Sequence, residues 1–159
     1  MRGGMIFLIV VVAMATGAKA QEAPGLNRLS AEQIAAQVKT LTETAQKSPA
    51  GIANVTLEKY PRHYSMLVVR VKTGEVEIHV NDDDVITALD CDATEMTGGT
   101  VVDPKTTAPG ETRGPRLEGG SSTPVRKGDV VHIAAGTPHW MVLAPGKSCS
   151  YYIEKVVVR

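Results

Sequence analysis

The chain has 159 residues, with 17 Lys and Arg against 17 Asp and Glu, so its formal net charge is zero. That balance offers no overall field to draw nucleic acid or an anionic membrane surface. The length suits a single domain with one real core once any leader is removed.

Residues 1–20 read as a cleaved secretory signal. Arg2 supplies a positive start, Met5 to Met14 is an uncharged apolar run, and Ala18-Lys19-Ala20 places small residues where a signal peptidase needs them. The run is well short of the ~20 apolar residues of a spanning helix. No Cys follows the small residues, so a lipid-modified N-terminus is not expected. Cleavage before Gln21 removes Arg2 and Lys19, leaving 15 Lys and Arg against 17 acids and a net charge of −2. The chain is therefore expected in the periplasm or outside the cell, with no membrane insertion after cleavage.

Residues 21–50 read as a lead followed by a helix. Ser30 and Gln33 fit a capping box, and Ile34, Val38 and Leu41 form one apolar stripe. The helix should end near Gln46 or Lys47, before Ser48-Pro49-Ala50-Gly51.

From residue 51 to 159 the periodicity is that of strands. β-Branched runs recur at Asn54–Lys59, Ser65–Val71, Val76–Val80, Val85–Leu89, Thr94–Met96, Val130–Ile133, Trp140–Leu143 and Ser150–Val158, with Gly, Pro, Asn and Asp turns between them. Many short strands with no helix between them predict an antiparallel sandwich or barrel. Residues 103–126 are rich in Pro, Gly, Thr and Ser and carry Arg113, Arg116 and Arg126. This stretch reads as a long loop, either a lid over one end of the barrel or an insertion, with a strand around Pro115 to Leu117. Cys91 and Cys149 are the two cysteines, and in an exported chain they are either a disulfide or two buried thiols.

Gly128 to His139 reads Gly-Asp-Val-Val-His-Ile-Ala-Ala-Gly-Thr-Pro-His. It resembles the second cupin motif, G-x5-P-x-G-x2-H, with Ala134 where that family has Pro. The first cupin motif, G-x5-H-x-H-x3-4-E-x6-G, aligns on Glu77-Ile78-His79, Asp84 and Cys91. Here Glu77 replaces the first His, Asp84 the Glu and Cys91 the Gly. The resemblance spans about residues 60–155 and implies an all-β fold, a double-stranded β-helix or jelly-roll barrel with one N-terminal α-helix.

The resemblance also implies a site. Glu77 and His79 are two apart on a strand and share a face. In a jelly roll that face points inward, and His139 and Asp84 converge on it. Glu77, His79, Asp84 and His139 are thus the candidate ligands of a divalent transition metal, and ligand types alone do not separate Zn, Mn, Fe, Ni and Cu. Two His and a carboxylate leave open positions for oxygen chemistry or for Lewis-acid hydrolysis or isomerisation. The alternative is a metal-free binding module or sensor, with Glu77 and His79 in a buried ion pair. No catalytic residue is assigned.

Tyr64, Met66, Trp140, Met141, Tyr151 and Tyr152 are candidate barrel-lining residues around a small-molecule ligand. Arg113 is either a clamp for an anionic ligand or a solvated loop residue. His132 reads as a core or surface histidine, and His63 as a surface residue near the cavity mouth. The jelly roll places the strands of Cys91 and Cys149 side by side, which favours the disulfide. Exposed strand edges make a homodimer an expectation. No phosphate-binding glycine loop or serine or cysteine nucleophile with a base is present in the sequence.

Overall fold

The computed structural model describes residues 25–158, so the expected signal segment lies outside the described residues. Helix α1 spans Ala31–Lys47. Ser30 Oγ accepts from the backbone N–H of Gln33, and the Gln33 side chain accepts from the backbone N–H of Ser30, which closes the capping box. The helix buries Leu41 and Ala45 against Ala53, Leu67 and Val69, with Ile34 and Val38 at the edges. It is therefore a cover on the outer face of the sheet. Among the described residues, no helix is long and apolar enough to cross a membrane.

Twelve strands follow. They are β1 (Ile52–Lys59), β2 (His63–Arg70), β3 (Val76–His79), β4 (Asp82–Thr97), β5 (Thr100–Val102), β6 (Lys105–Ala108), β7 (Glu111–Gly114), β8 (Arg116–Glu118), β9 (Ser121–Arg126), β10 (Val130–Ile133), β11 (His139–Leu143) and β12 (Cys149–Val157). All the pairings are antiparallel. Strand β4 serves both sheets. Its first half pairs with β12 and β10, and its second half with β11 and β9. One sheet runs β1-β2-β12-β4-β10, and the other runs β9-β4-β11-β3-β7-β6. This is the double-sheet jelly roll.

The main core lies between the sheets, built from alternate residues of each strand: Val68, Ile86, Ala88, Val125, Ile133, Met141, Leu143, Tyr151 and Ile153. Cys91 and Cys149 are direct cross-strand partners and form a disulfide inside this core.

The structure corrects several expectations. Val85–Leu89 and Thr94–Met96 are parts of one 16-residue strand, which carries through a bulge at Leu89 opposite Ser150 and Tyr151 and includes Cys91. Residues 103–126 are not a loop. They hold β6 to β9, and β7 and β9 add directly to the barrel sheet. Turn-forming residues hide these strands in the sequence. Gly98-Gly99 and Gly119-Gly120 turn the chain in and out of the β5–β8 ribbon with positive φ at all four. A Cβ at Gly99 would strike the Glu118 carbonyl, and one at Gly120 the Thr97 carbonyl, so glycine is required there.

Candidate metal centre

Strand register assembles the site. On β3, Glu77 and His79 point inward together. Glu77 pairs with His139 of β11 on one side and with Arg113 of β7 on the other, and His79 pairs with Glu111 of β7. On the facing sheet, Asp84 of β4 pairs with Lys155 of β12. His79, Asp84, His139 and Lys155 are all buried.

Glu77, His79 and His139 each direct a ligand atom to one point, and these atoms lie within 4.8 Å of one another. His79 Nε2 is 3.2 Å from Glu77 Oε2, and His139 Nε2 is 3.9 Å from the same oxygen. The outer nitrogens are already committed. Nδ1 of His79 donates to the Glu111 carboxylate at 2.8 Å. Nδ1 of His139 donates to the Thr137 carbonyl at 3.0 Å. In the neutral ring each Nδ1–H leaves the Nε2 lone pair facing the interior, the tautomer that a metal ligand needs.

Asp84 reaches the same point without joining the group of three. Its Oδ2 is 3.6 Å from His79 Nε2 and 3.7 Å from His139 Nε2. Lys155 donates to that oxygen at 2.7 Å and lies 2.6 Å from the other. Of the four candidate ligands, three thus converge as a set, and the fourth stands beside them as the counter-ion of a buried lysine. It is not a solvated turn residue.

Arg70 of β2 completes the surroundings. Its Nη2 donates to Glu77 Oε1 at 2.7 Å, and its Nε donates to the Tyr151 hydroxyl at 2.9 Å. Its Nη1 occupies the space that a side chain at residue 74 would fill, so Gly74 lets the guanidinium in. Burial alone would raise the pKa of Glu77, but the hydrogen bond from His79 and the charges of Arg70 and Arg113 hold the carboxyl well below its usual range. His79 behaves the opposite way. Burial disfavours its cation, yet the hydrogen bond to Glu77 and the nearby Asp84 and Glu111 carboxylates win, and its affinity for a proton rises. For His139 burial prevails, and its proton affinity falls.

These facts test whether a divalent metal fits. With both rings neutral, two lone pairs and a carboxylate oxygen at 3.2–3.9 Å repel unless a cation sits between them; a proton on His79 Nε2 relieves only its own contact with Glu77. A metal at ordinary ligand distances of about 2.0–2.2 Å would satisfy all three at once. The donor set of two imidazoles and a carboxylate matches the borderline transition metals, and the residues present therefore fit a divalent ion.

Glu111, Arg70 and Lys155 were not readable as site residues from the motifs. For Glu111 a signal existed: Glu111 and Arg113 are two apart, the same spacing as Glu77 and His79. Other placements follow the register. Tyr64 and Met66 line the cavity beside the site. Tyr151 is in the core, whereas Tyr152 faces outward among the residues under α1. Trp140 alternates to the face opposite His139 and Met141 and donates its Nε1–H to the Gly74 carbonyl. Trp140 and Tyr152 are thus not barrel-lining. His132 is at the surface, 3.3 Å from Asp83, and His63 stacks on Tyr60.

Neither a known family profile nor a curated protein sequence matches the chain. Solved structures do. TT1209 from Thermus thermophilus aligns over 69% of this chain and 87% of its own, at 14% identity and a TM-score of 0.50. A cupin-like protein from Thermotoga maritima aligns over 67% and 69%, at 14% identity and a TM-score of 0.49. A cupin 2 conserved barrel domain protein from Rhodopseudomonas palustris aligns over 68% and 62%, at 14% identity and 0.47. At such identities the likeness concerns the barrel alone, and the chemistry of this chain must be argued from its own residues.

Proposed function

We propose that this cupin-like chain is an exported protein whose barrel holds a divalent transition metal on Glu77, His79 and His139 and receives a small molecule beside it. The observation that carries the reading is the commitment of both outer ring nitrogens, Nδ1 of His79 to Glu111 and Nδ1 of His139 to Thr137, which turns both Nε2 lone pairs onto the Glu77 carboxylate. Residues 1–20 and the Cys91–Cys149 disulfide support export.

Once bound, the metal would supply Lewis acidity and open coordination positions, which suits an oxygenase or an isomerase. The protein's own residues prepare that site. Glu111 and the Thr137 carbonyl fix the ring tautomers. Arg70 holds the Glu77 carboxylate in place and keeps it ionised. The barrel keeps His79, Asp84 and His139 buried beside the open cavity.

One observation favours a second reading, a metal-free binding barrel. A proton on His79 would also supply the missing positive charge beside Glu77, and the surroundings of His79 favour that proton. Calorimetric titration of the metal-stripped protein with Zn²⁺ and Mn²⁺ separates the two readings. The metal reading predicts saturable binding that His139→Ala abolishes. The metal-free reading predicts no binding and no effect of that change.

A further inference from the structure

We infer that the ligand taken up beside the metal centre is a small carboxylate. This deepens the proposed function and rests on its reading of the barrel interior as a ligand site. A cavity of about 260 Å³ opens directly against Glu77, His79 and Asp84. Its wall also carries Arg70, Arg113, Lys155, Glu111 and Tyr64.

The hydrogen-bonding capacity of that wall is unequally spent. Each carboxylate faces a donor group, although Asp84 Oδ1 accepts no hydrogen bond among the described residues. Glu77 accepts from Arg70 through one oxygen and faces His79 through the other. Glu111 is held by His79 and by Arg113 at 3.0 Å. Asp84 is held by Lys155. The donors are not exhausted. Arg70 uses Nε and Nη2, and its Nη1 lies against Gly74. The Lys155 ammonium has three N–H groups and one carboxylate partner. The Tyr64 hydroxyl has no partner among the described residues. Lys155 is only 7% exposed, so bulk water does not freely satisfy what it has left.

A pocket whose acceptors are nearly all engaged and whose buried lysine keeps N–H groups to spare selects a molecule rich in acceptors. The charge argument agrees. Three cations and three carboxylates line the wall, and a divalent ion on Glu77, His79 and His139 would add two positive charges that an anion offsets. The cavity is at the small end for ligand sites, which fits a metabolite of a few heavy atoms.

The test is calorimetric titration of the purified protein, metal-free and zinc-loaded, with acetate, succinate and glutarate, and with succinamide as the uncharged counterpart of succinate. The inference predicts that at least one carboxylate binds at millimolar concentration or below. It predicts that succinamide binds about tenfold more weakly or worse than succinate, and that Lys155→Met and the half-buried Arg113→Gln each weaken the bound carboxylate by about tenfold. Arg113→Gln keeps the test decisive if the lysine variant does not fold. Failure of all three carboxylates, equal binding of succinamide, or full affinity in Arg113→Gln overturns it. Zinc binding without carboxylate binding overturns this inference and leaves the metal reading standing. Carboxylate binding without zinc binding does the reverse.

Discussion

Glu111 places its carboxylate 2.8 Å from Nδ1 of His79, and the two residues are direct partners across the β3–β7 ladder. The contact fixes the tautomer of a ring whose other nitrogen faces Glu77. Loss of such a supporting carboxylate typically costs 10–100-fold in metal affinity. Glu111→Ala is therefore expected to weaken Zn²⁺ binding by about 10–100-fold while the fold persists. Calorimetry for affinity and circular dichroism for fold check it. Unchanged affinity would remove Glu111 from the account.

Lys155 and Asp84 form an ion pair shut away from water. Removing one partner leaves an uncompensated buried charge, at a cost of about 3–5 kcal/mol. Lys155→Met is expected to destabilise the protein by that amount in urea denaturation. Lys155→Met with Asp84→Leu is expected to recover most of it. A double variant no more stable than the single one would show that the pair is not what holds this end of the barrel.

Glu95 on β4 is buried, and its Oε1 has no hydrogen-bond partner among the described residues. Burial pushes its carboxyl up to about 8; the Glu77 charge adds to this, and Arg70 opposes it. In the unfolded chain the same group ionises near its ordinary value of 4.5. Between those two values the unfolded state holds fewer protons than the folded one, so this group's contribution to stability falls as pH rises from about 4.5 to about 8. Glu95→Gln is expected to flatten that part of the stability profile and to stabilise the protein at pH 8 more than at pH 4. Parallel denaturation curves across that range decide it, and an unchanged slope would count against a protonated Glu95.

The disulfide between Cys91 and Cys149 closes a separation of 58 residues between two strands that are already paired. Cross-linking a loop of that size restricts the unfolded chain by about 2–4 kcal/mol. Reduction, or the paired change Cys91→Ser with Cys149→Ser, is expected to lower stability by that amount without unfolding the barrel. Equal denaturation midpoints with and without reductant would contradict this.

Much of the barrel was legible because local chemistry and global fold agree. Gly128 and Gly136 adopt positive φ on either side of β10, and His139 opens β11 facing inward, as the motif spacing demands. The capping box of Ser30, the stripe through Leu41 and the break at Ser48-Pro49 likewise predict α1 to within a residue at its end. What was hidden lay in residues 103–126. Their strands are short and polar, β6 being exposed throughout, so alternation leaves little trace. That stretch nonetheless delivers Glu111 and Arg113 by pairing with β3. Arg70 and Lys155 were hidden for a different reason. Each ends or interrupts an ordinary apolar strand, and only the pairing of distant strands brings it to Glu77 or Asp84.

The central claim is that Glu77, His79 and His139 hold a divalent metal, and elemental analysis after reconstitution tests it most directly. The account predicts about one equivalent of a transition metal per chain, lost in both His79→Ala and His139→Ala. A reconstituted protein that retains no metal, with stability unaltered by replacing either histidine, would contradict it.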